Sequence, residues 1–387
     1  MTEKNITIGL ITYNDPNDQK SWSGTYYHML KEIKTMGFKV EKFGPYKFNL
    51  ITKYGIKFLS VIIYLFHIIV FQKRCNVLYS KSISLIYGKL LTKSIEKSKT
   101  IDILFVPAFS PGVAFLKTNI PIVYYNDATV DLLIDYYPSL SNYSRLAQNN
   151  CIYIEQKAIS NSDVHVFSSD WAMNNANLRF NAKNAFVVKM GANIINDPIL
   201  DLNNKIYNQV INILFVGVDW HRKGGDLVVE TMNKLIEKGF NVQLTVIGCI
   251  PPVYYDYIKV IPSINKNIDQ DKRLFDETLK KAHLFFLPTR AECFGLVFCE
   301  ANAYGLPVIA TKTGGVPSII KDGVNGYLLS PSETSEEYYR VIKNLIVDTT
   351  KFRQMAINAR LIYERELSWK VWGEKMGKIF IDAKFKR

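Results

Sequence analysis

The sequence has few cysteine and histidine residues, five of each among 387 residues. No two cysteines form a Cys-x-x-Cys pair, and the histidines are spread along the chain. An odd, scattered set of cysteines does not build a disulfide framework, and a structural zinc site needs closely spaced ligands. We therefore expect neither kind of site, and we interpret Cys293 and Cys299 as small packing residues. The other cysteines are Cys75, Cys151 and Cys249.

Acidic residues are in the minority, with 35 Asp and Glu against 48 Lys and Arg, so the formal net charge is +13. A basic protein attracts anions such as nucleotides, phosphates, anionic lipids or nucleic acids. The sequence has no zinc-finger spacing, no basic zipper and no RNA-recognition signature, which argues against nucleic acid as a partner. Part of the positive charge is expected to be ordinary solvated surface.

The sequence also lacks an apolar run long enough to span a bilayer. The longest run, Phe58–Phe71, is interrupted by Ser60 and His67 and is shorter than the ~20 residues that a spanning helix needs. Two interpretations stay open: a buried helix, or a basic, apolar element that lies on an anionic membrane surface. Basic residues flank the run at Lys53, Lys57, Lys73 and Arg74. No signal-peptide core precedes the apolar segment that starts at Ile6, so we expect a cytoplasmic protein, soluble or peripheral to the inner face of the plasma membrane.

Predicted strands alternate with predicted helices along the chain, which is typical of parallel sheets covered by helices. The first series of strands is expected near Ile6–Thr12, Lys39–Phe43, Ile101–Val106, Ile122–Tyr125, Val164–Phe167 and Phe186–Val188. The polar, Asn-rich stretch Gly191–Asn208 is typical of a linker. A second series is expected at Ile211–Gly217, Gln243–Ile247, Leu284–Leu287 and Pro307–Ala310. The sequence thus predicts an α/β protein of two similar domains, with ligands at the carboxyl ends of the strands in a cleft between them.

Two glutamates, Glu292 and Glu300, stand eight residues apart at a predicted strand-to-helix junction. The apolar segment before them indicates a buried strand that ends at Pro288, and Gly295 opens a helix. A helix N-terminus favours anions, and carboxylates accept hydrogen bonds from sugar hydroxyls. The joint pattern suits a sugar nucleotide, although a single glutamate of this kind is usually solvated or paired with a cation.

A second junction, Val216–Asp226, places Arg222 and Lys223 just before a predicted helix that starts near Gly224. Arg binds phosphate oxygens through a planar fork, and Lys binds them as a point charge. The pair therefore predicts a phosphate site, and the simpler alternative is an exposed basic pair in a loop.

The segment from Glu292 onward has a longer pattern. Glu-x7-Glu is followed by Ala-x-Ala-x-Gly-x-Pro-Val-Ile-Ala-x-x-x-Gly-Gly-x-Pro at 301–317, and then by Asp322–Leu329. Together with Ser368-Trp369 near the end, this pattern resembles the retaining glycosyltransferases of the GT-B fold, family four, also called glycosyl transferases group 1. The resemblance is strong over 211–329 and weak over the first 190 residues.

The resemblance implies a GT-B architecture, with two Rossmann-like domains whose parallel sheets face a central cleft. Residues 1–195 would bind the acceptor and residues 196–370 the nucleotide sugar. The last residues, 371–387, would form a helix that returns to the first domain.

The resemblance also implies roles for individual residues of the second domain. Glu300 would hold the ribose hydroxyls, and Glu292 the hydroxyls of the transferred sugar. Lys223 would bind the donor diphosphate, and Arg222 would supply the charge that many members place at the position of Val218. The other implied donor contacts are Gly217 and the backbone amides of Phe294, Gly295 and Leu296.

In the first domain the resemblance implies a glycine loop near the donor phosphates. Gly24 is the candidate donor contact there, and Trp22 is a candidate acceptor contact. Where many members carry a His-Asp or His-Glu pair, this chain has Asn126-Asp127, and Asp127 is a candidate catalytic residue that binds acceptor or sugar. A simple turn is the alternative at both places.

The chain is thus expected to be a retaining glycosyltransferase that moves a hexose-type sugar from a nucleotide-diphosphate sugar to a hydroxyl acceptor. A glycan or lipid-linked acceptor in cell-surface polysaccharide assembly is expected. Since no Asp-x-Asp triplet suited to a metal-bound diphosphate is found, we expect that no divalent ion is required. Two alternatives stay open: a non-catalytic sugar-nucleotide-binding protein on a decayed transferase scaffold, and a nucleotide-sugar epimerase of the same architecture.

Overall fold

The structure is a computed structural model that describes residues 6–46, 49–194, 196–202 and 210–385. The N-terminal residues 1–5 and part of the predicted linker, at 195 and 203–208, lie outside the described residues. The chain divides into two compact units. Unit 1 consists of the residues up to Val188 and those from Gly373 onward, and unit 2 is Lys189–Trp372.

Within its described residues, unit 1 contains a six-stranded sheet in which every neighbouring pair is parallel. The strands are β1 Thr7–Leu10, β2 Lys39–Lys42, β3 Ile103–Pro107, β4 Ile122–Asn126, β5 Val164–Phe167 and β6 Ala185–Val187, in the spatial order β2-β1-β3-β4-β5-β6. Strands β3, β4 and β5 are buried over their whole length because helices cover both faces of the sheet.

The helices of unit 1 connect these strands. They are α1 Thr25–Thr35, α2 Leu50–Phe71, α3 Lys81–Ile95, α4 Ser110–Val113, α5 Val130–Leu133, α6 Arg145–Ser160 and α7 Asp170–Phe180. Several begin at side-chain caps that satisfy the first free backbone N–H groups. Ser169, for example, accepts a hydrogen bond from the backbone N–H of Ala172 at 3.3 Å.

Unit 2 contains a second six-stranded parallel sheet among the residues that the structure describes. Its strands are β7 Ile211–Val216, β8 Val242–Ile247, β9 Ile258–Ile261, β10 Leu284–Leu287, β11 Val308–Thr311 and β12 Gly326–Leu329, in the order β12-β11-β10-β7-β8-β9. Its helices are α8 Gly225–Glu237, α9 Asp269–Lys281, α10 Leu296–Ala303, α11 Ser335–Val347 and α12 Thr349–Glu366. The last helix, α13 Trp369–Phe385, starts in unit 2 and ends in unit 1.

The predicted α/β class with two parallel sheets is confirmed. Two strands were not predicted: β9 is a four-residue edge strand with two exposed residues, and β12 begins with a glycine. Short edge strands have weak apolar patterns because only part of each strand is buried.

Helix α2 differs most from the sequence-based expectation. It is 22 residues long, because Asn49 caps its first turn through the backbone N–H of Thr52 at 2.8 Å and the helix continues past Lys53 and Lys57 into the apolar run. Of its residues, all of which the structure describes, only His67 is fully buried. The interpretation of Phe58–Phe71 as a buried helix is therefore wrong. By its length and composition alone, the helix could cross a membrane. Only 6 % of its most apolar stretch of 18 residues is buried inside the protein.

Candidate functional site

The candidate donor residues of unit 2 follow two neighbouring strands. Strands β7 and β10 pair in parallel, so the loops after them leave the same edge of the sheet side by side. The first loop runs from Gly217 to Gly224, and the second from Pro288 to Gly295. The two loops approach so closely that a Cβ atom at Gly224 would lie 2.1 Å from the carbonyl oxygen of Pro288. Gly224 has φ +76°, a backbone conformation that favours glycine.

Lys223 and Glu292 meet where these loops touch. The Nζ atom of Lys223 donates a short hydrogen bond to Oε2 of Glu292, and both side chains are largely buried. Gly217 makes room for the lysine, because a Cβ atom there would lie 2.7 Å from Cγ of Lys223. Two predicted site residues from separate motifs thus form one ion pair at the carboxyl edge of the sheet.

Arg222 joins the same two loops. Its Nη1 donates to the backbone oxygen of Ala291 at 2.9 Å, and its Nε lies 3.6 Å from a carboxylate oxygen of Asp219. The backbone N–H of Arg290 donates to the backbone oxygen of Arg222 at 2.7 Å. In this structure the guanidinium of Arg222 therefore braces the loops, and its predicted contact with a diphosphate stays a prediction.

The helix that follows Glu292 begins as predicted. Gly295 is its N-cap with φ +95°, and α10 starts at Leu296. A Cβ atom at Gly295 would lie 2.5 Å from the ring of Phe298 and 3.1 Å from Cγ of Glu292, so the turn requires glycine. Phe294 is buried, while Leu296 is half-buried at the first helical position. Gly295 provides no side-chain cap, and the backbone N–H groups of a helix N-terminus favour an anion.

Glu300 lies on α10 and is also paired with a lysine. It is 4 % exposed, and its Oε1 accepts a hydrogen bond from Nζ of Lys266 at 2.5 Å. Lys266 also donates to the backbone oxygen of Asn193 at 3.2 Å, and its ammonium group lies 4.5 Å from the ring centre of Phe275. Burial raises the pKa of Glu300 above its ordinary value, and the charge of Lys266 offsets part of that rise.

Lys266 is the residue of this site that sequence reasoning missed. It lies in the polar loop between β9 and α9, and that loop carries no motif in a single sequence. Had β9 been recognised, the loop at its carboxyl end would have been a candidate, because ligands bind at that edge of a parallel sheet.

In unit 1 the predicted glycine loop has an unusual backbone. Trp22, Ser23 and Gly24 all have positive φ, at 47°, 56° and 86°, and α1 starts directly after them. A positive φ is uncommon for a residue as large as Trp and is often found at functional sites. The Trp22 ring lies 5.2 Å from that of Tyr26, and burial together with the charge of Asp127 raises the pKa of Tyr26. Within unit 1 the structure thus brings Gly24, Trp22 and Asp127 to one region.

A buried polar network lies beneath Asn126 and Asp127. The Asn126 amide accepts from the backbone N–H of Asp127 at 3.0 Å and donates to the hydroxyl of Tyr124 at 2.8 Å. Glu155, on α6, accepts hydrogen bonds from Tyr124 at 2.9 Å and from Ser110 at 2.8 Å. Burial raises the pKa of Glu155 to about 7, although both hydrogen bonds act in the opposite direction.

Unit 1 also holds a cavity of about 200 Å³ next to the end of β1. Its aromatic lining consists of Tyr13, Phe43, Tyr46, Tyr87 and Phe109. The rings of Tyr13 and Phe109 are 5.4 Å apart. Such surfaces suit the apolar faces of sugars or lipid chains. The cavity has no signature in the sequence, because its rings come from four separate segments.

The arrangement of the acidic residues bears on whether the site could hold a cation. In the part of the chain that the structure describes, no group of three or more His, Cys, Asp or Glu side chains is arranged to hold a metal ion. The triplet Asp269-Gln270-Asp271 begins α9. Asp269 pairs with Lys272 at 3.0 Å, and Asp271 accepts from the backbone N–H of Asn265 at 2.7 Å.

The chain is similar to known glycosyltransferases in both sequence and fold. Residues 200–361 match the family model described as "Glycosyl transferases group 1". An uncharacterised glycosyltransferase of Methanocaldococcus jannaschii is 29 % identical over 276 residues, which cover 67 % of this chain and 71 % of the relative.

Two solved structures show the likeness of fold. Sucrose-phosphate synthase from Thermosynechococcus elongatus has a TM-score of 0.64 at 16 % identity, covering 97 % of this chain and 98 % of that one. The Anabaena protein HepE, solved in complex with UDP and glucose, has a TM-score of 0.60 at 14 % identity, with coverage of 97 % and 99 %. Residues 200–361 therefore match the glycosyl transferases group 1 family, and the chain as a whole has the GT-B fold of the glycosyltransferases that it resembles.

Proposed function

We propose that the protein is a retaining glycosyltransferase that transfers a hexose-type sugar from a nucleoside diphosphate sugar to a hydroxyl group. The observation that carries the proposal is the ion pair of Lys223 and Glu292 at the carboxyl edge of the second sheet. This pair lies beside the N-terminus of α10, and the second turn of that helix carries Glu300, which is paired with Lys266. The site thus offers two carboxylates for hydroxyl groups, and two ammonium groups and a helix N-terminus for phosphate oxygens.

The donor would fit these groups as follows. Glu300 accepts hydrogen bonds from the ribose hydroxyls, and Glu292 accepts them from the sugar. Lys223 has three N–H donors, so it can keep Glu292 oriented while it binds the diphosphate. The HepE structure, which contains UDP and glucose, supports a nucleotide-sugar ligand for this fold.

In the transfer step the bond between the sugar anomeric carbon and the diphosphate oxygen breaks. Negative charge grows on the departing diphosphate, where Lys223 and the N–H groups at the start of α10 stabilise it. The acceptor hydroxyl attacks the same face of the sugar, its oxygen forms the new glycosidic bond, and the departing phosphate takes the hydroxyl proton. These groups supply the positive charge, so we propose that no divalent ion is required.

We propose that the acceptor binds unit 1, where the aromatic cavity next to β1 offers ring surfaces to a sugar or lipid. We propose that Asp127 and the strained loop at Trp22–Gly24 contact the reacting part of the acceptor or of the donor. We further propose a cytoplasmic role in cell-surface glycan or polysaccharide assembly, since a lipid-linked oligosaccharide would match both the basic charge and the exposed apolar helix.

The test has two stages. A panel of nucleoside diphosphate sugars is first screened by thermal shift, because a ligand that binds only the folded protein raises its melting temperature. The best donor is then incubated with hydroxyl acceptors, and the anomeric configuration of the product is read by NMR. We expect one donor to stabilise the protein and the product to keep the configuration of the donor.

Three outcomes would contradict the proposal in different ways. Binding without transfer to any acceptor would indicate a non-catalytic binding protein. Conversion of the sugar in the absence of an acceptor would indicate an epimerase. Inversion at the anomeric carbon would exclude the retaining mechanism.

A further inference from the structure

Helix α2 exposes an apolar surface that unit 1 leaves uncovered. Tyr54, Phe58, Val61, Leu65 and Ile69 follow one another at spacings of three and four residues, so they form one stripe along the helix. Each is 46 to 73 % exposed. An exposed apolar surface of this extent is unusual for a soluble monomer and indicates an interaction site.

The opposite side of the helix is fixed to unit 1. Ile56, Leu59 and Ile63 pack against the cluster of buried side chains under the sheet. One turn later, Nδ1 of His67 lies 2.7 Å from the hydroxyl oxygen of Ser144, which also caps α6. The helix therefore lies flat along the unit. A helix that crossed a bilayer would have to leave these contacts or carry the domain surface into hydrocarbon.

The charge around α2 identifies the partner. Residues 42–95 contain nine Lys and Arg residues and no Asp or Glu, so these 54 residues carry nine of the thirteen net positive charges of the chain. Lys53 and Lys57 stand one turn apart on a flank of the apolar stripe, at the level where lipid headgroups would lie beside an embedded helix. Lys73 and Arg74 follow directly after the helix ends.

We propose that α2 is a membrane-docking helix that lies in the plane of an anionic bilayer, with the stripe from Tyr54 to Ile69 embedded among the acyl chains. The lysines on its flank then contact anionic headgroups. Unit 1 stays in water, because the inner side of the helix keeps its contacts with the core. The length of α2, about 33 Å at 1.5 Å per residue, gives a contact broad enough to fix the orientation of the unit.

The proposal is tested by sedimentation of the full chain with vesicles of phosphatidylcholine alone or mixed with phosphatidylglycerol. We expect binding to the mixed vesicles, little binding to phosphatidylcholine, and loss of binding as salt is raised. A variant with Phe58→Gln, Leu65→Gln and Ile69→Gln should bind at least about tenfold more weakly, since each side chain loses its apolar burial. The matched control is Leu178→Gln, because Leu178 is an exposed apolar residue on α7 of the same unit.

The electrostatic contribution to vesicle binding is tested separately, with a variant that combines Lys53→Gln and Lys57→Gln. Removing both charges should weaken binding by about tenfold or more, because each basic residue near an anionic surface contributes about fivefold. The control pair is Lys375→Gln and Lys378→Gln, two exposed lysines on α13. All variants should unfold at the temperature of the unchanged protein, because the replaced side chains face solvent.

Several results would overturn the proposal. One is equal vesicle binding by the apolar variant and its control. Another is a dimer that forms without lipid and is lost in the apolar variant, which would assign the surface to a second copy of the chain. Retention on vesicles after alkaline carbonate extraction would indicate a spanning helix. The assay needs no donor, acceptor or turnover, so its failure leaves the proposed transferase activity untouched.

Discussion

At the scale of single residues, each candidate carboxylate of the donor site is already held by a lysine. Glu292 is paired with Lys223 and Glu300 with Lys266. Removing charges from water is unfavourable unless a partner compensates, so each lysine compensates for the burial of its carboxylate and orients it before any ligand binds. If the proposed function is right, a donor must replace or extend these contacts, and we expect both partners of each pair to contribute to its binding.

The first prediction concerns Glu300. Glu300→Gln keeps the size of the side chain and removes its charge, so donor affinity should fall by roughly 1.5–3 kcal/mol for each charged hydrogen bond to ribose that is lost. Calorimetric titration with the donor measures this. Glu366→Gln is the control, since Glu366 pairs with Lys189 and Lys321 in the same unit but has no assigned ligand. Unchanged donor binding by Glu300→Gln would show that Glu300 does not hold the donor.

The second prediction concerns Lys223. Lys223→Met retains the length of the side chain against Gly217 but lacks the charge that meets the departing diphosphate. Turnover should fall by about 100-fold or more, as for other groups that stabilise charge in the transition state. Lys234→Met is the matched control, because Lys234 is a paired lysine of α8 that contacts Glu336 instead of the loops. If both variants turn over equally fast, Lys223 only joins the two loops.

At the scale of elements, the network of α6 and β4 gives unit 1 a pH-dependent stability. The pKa of Glu155 is about 7 in the folded protein and 4.5 ordinarily, so the folded state keeps a proton that the unfolded state has released. Stability therefore falls as pH rises between these two values and levels off above the higher one. Since one pKa unit corresponds to about 1.4 kcal/mol, the free energy of unfolding falls by about 3 kcal/mol over this pH range.

Glu155→Gln tests this prediction, because glutamine resembles the protonated acid and does not titrate. The free energy of unfolding is measured by denaturant titration at about pH 5 and about pH 8. Between these pH values it should fall more in the unchanged protein than in the variant, by up to about 3 kcal/mol. The other titrating groups are common to both proteins and cancel in the comparison. Parallel stability profiles would mean that Glu155 is ionised in the folded state.

The elements also show what a single sequence can and cannot predict. The junctions at Gly217–Gly224 and Pro288–Gly295 were predictable, because their glycines and flanking apolar strands have a strong local pattern. The pairing of Glu300 with Lys266 was not, since it depends on how the loop after β9 folds back to α10. The sequence left two alternatives for the apolar run of α2, burial or exposure at a membrane surface. A helix that is apolar on all sides normally indicates burial, and only the tertiary structure shows which side is covered.

At the scale of the whole molecule, Lys223 and Lys266 place positive charge at the proposed donor site. We expect transfer to a soluble acceptor to continue in excess chelator, because Lys223, Lys266 and the N-terminus of α10 supply the charge that a cation supplies elsewhere. Turnover with and without chelator measures this. Complete loss of activity that manganese or magnesium restores would require a metal-dependent mechanism.

The flat, uncovered side of α2 has a consequence for kinetics. An enzyme held on a bilayer meets a lipid-borne acceptor by lateral diffusion, so its rate follows the number of acceptor molecules per unit area and not per unit volume. Adding inert anionic lipid to a fixed amount of acceptor should then slow transfer, although every bulk concentration of enzyme, donor and acceptor is unchanged. With a water-soluble acceptor, the same addition should have no such dilution effect, and a comparison of the two rates measures how far the reaction is confined to two dimensions.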